Sequence, residues 1–130
     1  HTGIFQVMMA ASLASAASDT LSSEMGNIYG RRFYNILNFE PDRRGENGVV
    51  SLEGTAFGVL GAMIIAAIYS VGFKFNINVL WISVAGTAGN LADSVLGATL
   101  ERRNYLSNDV VNFLNTASAA IAAFFLCILG

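Results

Sequence analysis

The stretch Leu52-Glu53-Gly54-Thr55-Ala56-Phe57-Gly58-Val59-Leu60-Gly61-Ala62-Met63-Ile64-Ile65-Ala66-Ala67-Ile68-Tyr69-Ser70-Val71-Gly72-Phe73 decides the fold. Beyond Glu53 it carries no charged residue. An apolar run of about 20 residues is the length that crosses a hydrocarbon layer ~30 Å thick as a helix. Three further segments read the same way: Ile4 to Met25, Val79 to Leu100 and Val110 to Leu129. The third in chain order is the most polar of the four. Composition agrees. Of 130 residues, 54% are hydrophobic and 12% charged, about half the charge of an ordinary soluble domain, which is ~25%. The reading is therefore an all-α membrane protein of about four transmembrane helices, forming a single membrane domain over residues 1–130.

Three connections separate the helices. Gly26 to Ser51 is long, rich in Gly and Arg, and holds Arg31, Arg32, Arg43 and Arg44. Lys74 to Asn78 is a short turn. Glu101 to Asp109 holds Arg102 and Arg103. The first and third connections share one side of the membrane, and they carry six of the seven Lys and Arg residues. The positive-inside rule puts that side toward the cytoplasm or stroma. The Lys74 turn and both chain ends face the other way. The chain opens on His1 rather than Met, as a trimmed chain or part of a longer protein would. No Lys/Arg-rich stretch precedes the first apolar run, so a spanning helix rather than a signal peptide is expected there.

Several chemistries are excluded. Cys127 is the only cysteine, so neither an internal disulfide nor a thiol metal site is available. The only histidine is His1, which leaves nucleophilic catalysis without a plausible base. No basic patch is dense enough for nucleic acid.

Polar residues inside membrane helices carry the functional signal. An Asp at a helix centre costs about 2.5–3.5 kcal/mol on insertion scales, so it is a functional candidate by default. Asp93 sits near the middle of the third segment. Asn90, Asp93, Ser94 and Gly97 share its helical face, and Glu101 extends that face one turn further. The first helix ends in a polar run in which Asp19, Ser22 and Ser23 share a face, followed by Glu24. The second begins with Ser51, a suitable N-cap, and Glu53, which complements the helix dipole. The fourth begins with Asn108 and Asp109. Asp109 can also complement the dipole, whereas Asn112 and Asn115 lie too deep for capping. Small residues four apart suit close packing: Ala11, Ser15, Asp19 and Ser23 in the first helix, Gly54 and Gly58 in the second, Gly89, Asp93 and Gly97 in the third.

All four polar clusters fall at the membrane face that holds the six arginines. Carboxylates gathered in one place repel unless a cation joins them, and hard cations such as Mg²⁺ take carboxylate, amide and water oxygens. Arginines nearby suit phosphate. These are the parts for metal-assisted phosphoryl transfer, and equally the parts for a cation pathway. A transporter or channel would continue its polar residues to the far face, yet the second helix beyond Thr55 and the fourth beyond Ser118 are apolar. The Arg31–Gly48 loop carries Gly30, Gly45 and Gly48 among its charges, but no P-loop or dinucleotide-binding pattern.

The motifs resemble a known family. Ser18-Asp19-Thr20-Leu21-Ser22-Ser23-Glu24-Met25-Gly26, with Tyr29-Gly30, resembles the SDTxSSExGxxYG stretch of the phytyl-phosphate kinases, an integral membrane family spread over bacteria, archaea and eukaryotes. Gly48-Val49-Val50-Ser51-Leu52-Glu53-Gly54-Thr55 resembles their GxxSLEGT. Asn90-Leu91-Ala92-Asp93-Ser94-Val95-Leu96-Gly97-Ala98 resembles their NLxESxxGA, with Asp93 where the plant kinases tend to carry Glu. Asn108-Asp109-Val110-Val111-Asn112 resembles their NDVVN. The order is kept across nearly the whole chain.

The resemblance implies transfer of a phosphoryl group from a nucleoside triphosphate to a prenyl monophosphate, with phytyl phosphate as the acceptor in a photosynthetic organism. A more distant similarity to the CTP-dependent polyprenol kinases favours CTP as donor. Asp19, Glu24, Glu53, Asp93 and Asp109 are then the expected Mg²⁺ ligands and catalytic carboxylates. Asn90, Asn108 and Asn112 are expected to orient metal or phosphate. Ser22, Ser23, Gly48, Ser51, Gly54 and Thr55 add polar contacts. Arg31, Arg32, Arg43, Arg44, Arg102 and Arg103 are the candidates for nucleotide or lipid phosphate, or for anionic lipid at the surface. Partners are an isoprenyl-phosphate lipid and the bilayer of a bacterial inner membrane or plastid. Family members carry further helices upstream, so the chain reads as the C-terminal half of a longer protein. A CDP-lipid-forming cytidylyltransferase is the remaining alternative, separable by its release of pyrophosphate.

Overall fold

The computed structural model describes residues 2–44, 48–73, 76–101 and 107–129. Its four long helices are α1 (Thr2–Tyr29), α2 (Leu52–Phe73), α3 (Ile77–Leu96) and α4 (Asn108–Leu129). All four are long and apolar enough to cross a membrane. A π-helical turn, Gly97–Glu101, continues α3. A small antiparallel hairpin, β1 (Tyr34–Asn35) and β2 (Val49–Val50), lies in the connection between α1 and α2 and pairs Tyr34 with Val50.

The helix starts follow from capping. The Gly54 N–H donates to Ser51 Oγ at 3.0 Å, and the Asn78 N–H to Asn76 Oδ1 at 2.8 Å. The Val110 N–H donates to Ser107 Oγ at 3.3 Å. Each side chain satisfies a backbone donor that has no partner within its own helix. Two limits differ from the sequence expectation. α1 runs to Tyr29 rather than stopping near Met25, because the chain turns only at Gly30, whose N–H bonds Gly26 O at 2.8 Å. α3 begins at Ile77, two residues early, because Asn76 supplies its cap.

α1 packs against all three other helices, while α2 and α4 flank the α1–α3 pair. The core is built from small side chains: Ala10, Ala11 and Ala14 of α1, Ala62 and Ala66 of α2, Ala85 of α3, and Ala119 and Ala123 of α4, with Val7, Tyr69 and Ile82 as its larger members. Small residues let membrane helices approach closely where no hydrophobic effect drives them together. At Gly54 the approach is closest to the functional end: a Cβ there would lie 2.7 Å from Ser22 O and 3.0 Å from Gly26 Cα. Large apolar side chains such as Phe5, Leu13, Ile64, Ile68, Val71 and Phe125 point outward instead, the arrangement expected where lipid is the solvent.

Two polar contacts join α1 to α4 within the bundle. Ser15 Oγ donates to Asn115 Oδ1, and Ser12 Oγ to Thr116 O at 3.0 Å. Both Ser15 and Asn115 are fully buried. Asn115 is thus an interhelical tie, which accounts for one of the two deep asparagines of α4.

Candidate functional site

Ser22, Ser23 and Glu24 come from the last turns of α1, Ser51 from the cap of α2, Asn90, Asp93 and Ser94 from the end of α3, Gly97 from the π-helical turn that follows it, and Asn112 from the start of α4. With Asp19 and Thr20 they line one pocket of about 350 Å³. Gly48, Val49 and Val50 of the hairpin, Phe33, Gly26 and Asn27 complete the wall. The helix ends meet here because consecutive helices run antiparallel, so two C-terminal and two N-terminal ends share one face of the bundle.

Asp19 and Asp93 are the centre of it. Their side chains are within hydrogen-bond reach of each other across the α1–α3 contact. Asn90, one turn deeper on α3, is buried. Ser18 Oγ is also fully buried and has no hydrogen-bond partner among the described residues. A Cβ built on Gly58 would stand 3.0 Å from Ser18 Oγ and 3.1 Å from Asn90 Nδ2, so hydroxyl and amide flank the same narrow space beneath the carboxyl pair. Glycine at position 58 keeps that space open.

The connection after α1 is fastened over the pocket edge. The Arg44 guanidinium donates to Gly30 O at 3.2 Å and lies 4.8 Å from the Phe33 ring centre, a cation–π contact. Gly48 takes a left-handed conformation, φ 80°, and a Cβ there would run into Ala98. Only glycine meets both demands.

Of the expected site residues, the structure brings together Asp19, Ser22, Ser23, Glu24, Gly48, Ser51, Asn90, Asp93 and Asn112. It separates others. Glu53 accepts from the Arg31 backbone N–H at 3.3 Å and so ties the connection to α2. The Thr55 hydroxyl is turned back to Ser51 O at 2.8 Å, and Gly54 serves the α1–α2 approach. Asp109 sits exposed in the first turn of α4, where it complements the helix dipole. Arg31, Arg32 and Arg43 are exposed, and with Arg44 they stand off the pocket wall. Arg102 and Arg103 lie outside the described residues, as does the side chain of Asn108. Among the described residues no set of three His, Cys, Asp or Glu side chains gathers as a metal-binding group. Asp19 and Asp93 approach each other as a pair. Sequence reasoning missed Asn27 and Phe33. Asn27 was detectable, since it follows Asp19 and Ser23 at steps of four on one helical face. Phe33 was not, because its position depends on the hairpin and on Arg44.

The sequence matches the family described as "Integral membrane protein DUF92" over residues 1–120. An uncharacterized membrane protein of Methanocaldococcus jannaschii is 40% identical over 110 residues, covering 85% of this chain and 46% of the relative. One from a Synechocystis strain is 37% identical over 115 residues, 86% of this chain and 45% of the relative. The chloroplast protein VTE6 of Arabidopsis thaliana is 32% identical over 124 residues, 92% of this chain and 37% of the relative. The chain therefore spans less than half the length of these curated relatives. No solved structure matches it.

Proposed function

The chain belongs to the integral membrane family DUF92, and we propose that it forms the phosphoryl-transfer site of a membrane prenyl-phosphate kinase. The observation that carries this reading is the paired Asp19 and Asp93 carboxyls in an oxygen-lined pocket at one end of the bundle. The order of the sequence motifs resembling the phytyl-phosphate kinases and the similarity to a chloroplast relative support the same reading. The one-sidedness of the polar cluster favours a site over an ion path. Toward the far face the core is Val7, Ala66, Tyr69, Ile82 and Ala123.

The donor set fits Mg²⁺. Two facing carboxylates, the Asn90 and Asn112 amides and the serine hydroxyls are all hard oxygen donors, and Mg²⁺ is commonly held through one or two carboxylates with substrate phosphates and water completing its shell. Asp19 and Asp93 would hold it, with Glu24 on the same wall. When bound, the ion offsets charge on the phosphates during transfer. The protein's own residues do the rest. Ser22, Ser23 and Ser51 offer hydroxyls to phosphate oxygens. Asn90 fixes orientation from the floor. Phe33, Val49 and Val50 keep bulk water from one side. The acceptor is already an ionised phosphate, so positioning and charge neutralisation carry the rate rather than a general base. Under the positive-inside rule the pocket opens to the cytoplasm or stroma, where the donor nucleotide, CTP or another triphosphate, is found.

The test is direct. The full-length protein is purified and given radiolabelled CTP or ATP with phytyl, geranylgeranyl or farnesyl phosphate, with and without Mg²⁺. Prenyl diphosphate formed only with Mg²⁺ supports the reading. No prenyl diphosphate from any pair overturns it, and release of pyrophosphate with a CDP-lipid points to nucleotidyl transfer instead.

A further inference from the structure

We propose that the groove between α2 and α3 holds the isoprenoid chain of the lipid acceptor while its phosphate end lodges in the polar pocket. The inference rests on the kinase reading above and adds where the tail lies. Along α3, Ile77, Leu80, Val84, Thr87, Leu91 and Ser94 succeed one another at alternating steps of three and four residues, which sets them on one stripe of the helix. The first five line an apolar groove of about 910 Å³, with Val59 and Met63 of α2 as its other wall. Ser94 lines the polar pocket. One continuous stripe thus passes from the groove to the pocket.

The dimensions suit a long chain. From Ile77 to Ser94 the stripe rises about 25 Å, at ~1.5 Å per residue, most of a hydrocarbon layer ~30 Å thick. The wall offers no free hydroxyl: Thr87 Oγ1 donates to Ser83 O at 2.9 Å, and Ser83 Oγ to Val79 O at 3.0 Å. The groove therefore makes apolar contacts and the pocket makes polar ones. An occupant that satisfies both is an amphiphile with one chain and an anionic head. Leu91 lines the groove and Ser94, one turn on along the same stripe, lines the pocket, so the stripe offers one walled path and suits a single chain.

The experiment uses the full-length protein in phosphatidylcholine nanodiscs, photolabelled with a diazirine-tailed farnesyl phosphate and, separately, with a phosphatidylcholine carrying a diazirine on one acyl chain. Labelled peptides are mapped by mass spectrometry. The expected result is labelling by the prenyl probe at Val59–Met63 and Leu80–Leu91, reduced about tenfold by excess geranylgeranyl phosphate. Labelling there by the phosphatidylcholine probe without displacement would mean bilayer chains only and would overturn the proposal. So would labelling confined to α1 or α4, or none at all, as when another helix or a second copy covers the groove. Because labelling reads binding without turnover, a protein that is labelled as expected but makes no diphosphate counts against the kinase reading and not against the groove.

A kinetic arm gives an independent reading. Val84→Trp fills the groove midway and should raise the ratio of KM for geranylgeranyl phosphate to KM for geranyl phosphate about tenfold. Leu80→Trp, nearer the far end, should act on the longer acceptor alone. Val71→Trp, on an exposed face of α2 outside the groove, should leave the ratio as it is. Equal changes for both acceptors in Val84→Trp and Leu80→Trp would overturn the assignment.

Discussion

Replacing Asp93 by Asn tests the carboxyl pair in a way that separates charge from shape. Asparagine keeps the volume and a hydrogen bond to Asp19, and removes one charge. Without a cation two carboxyls in contact share a proton; where both ionise, unit charges ~4 Å apart repel by on the order of 4 kcal/mol at an effective dielectric constant of ~20, and by about 1–2 kcal/mol where water reaches them. Asp93→Asn should therefore stabilise the Mg²⁺-free protein by up to about 1–2 kcal/mol at a pH high enough to ionise both carboxyls, a rise of a few degrees in Tm, and by less where the pair holds its proton. With Mg²⁺ present the sign reverses in relative terms. The wild-type protein should gain stability from the ion through mass action, and the variant should gain much less. The assay is thermal unfolding of the full-length protein in detergent, wild type and Asp93→Asn, each with EDTA and with millimolar Mg²⁺. Turnover should fall at least a hundredfold, as expected when a metal-holding group is lost from a phosphoryl-transfer site. A variant that loses stability equally under both conditions would refute the reasoning and return Asp93 to a packing role.

Asn115→Ala leaves the buried Ser15 hydroxyl unsatisfied and should cost about 0.6–1.7 kcal/mol, read as a lower Tm with kcat nearly intact. Gly54→Val drives a side chain into Ser22 O and Gly26 Cα, and overpacking of that kind costs about 1–3 kcal/mol. Its turnover should fall further than its stability accounts for, because Ser22 lines the pocket. Gly48→Ala meets a left-handed φ and the Ala98 side chain together, and should speed proteolysis of the connection between α1 and α2 while α2 and α4 keep their amide protection.

Most of the fold was legible because length and apolarity are what a bilayer demands of a helix, and all four spans follow from them. The ends of the spans were harder. Tyr29 belongs to α1 because the chain has no turn residue with room to bend before Gly30, and Ile77 belongs to α3 because Asn76 caps it. The π-helical turn after Leu96 leaves no mark in the residue types. For the site, helical spacing found Asp19, Asn90, Asp93 and Ser22 through one argument: polar residues on one face of a membrane helix. The same argument drew in Glu53, Thr55 and Asp109. Whether a polar residue at a helix end faces a pocket or bonds its own backbone is set by its rotamer and its neighbours, which spacing does not encode. Asn112 and Asn115 show the limit well. Three residues apart on one helix, one lines the pocket and the other ties α4 to Ser15.

α1, which packs against the three other helices, has the lowest mean hydropathy of the four spans, 1.2 against 1.3 for α3, although the residue types mark the third segment as the most polar. This bears on how the protein is made. α1 leaves the ribosome before α2, α3 and α4, against all of which it packs. On its own it carries Asp19 and several serines into a lipid environment that offers them nothing. Among the described helices, the partners that meet these polar groups, α3 with Asn90 and Asp93 and α4 with Asn115, are synthesised after α1. α1 is then expected to settle fully in the bilayer only once α3 and α4 have packed against it. Truncations after α2 should leave α1 accessible to water-soluble thiol reagents at engineered cysteines, and extension through α4 should protect it.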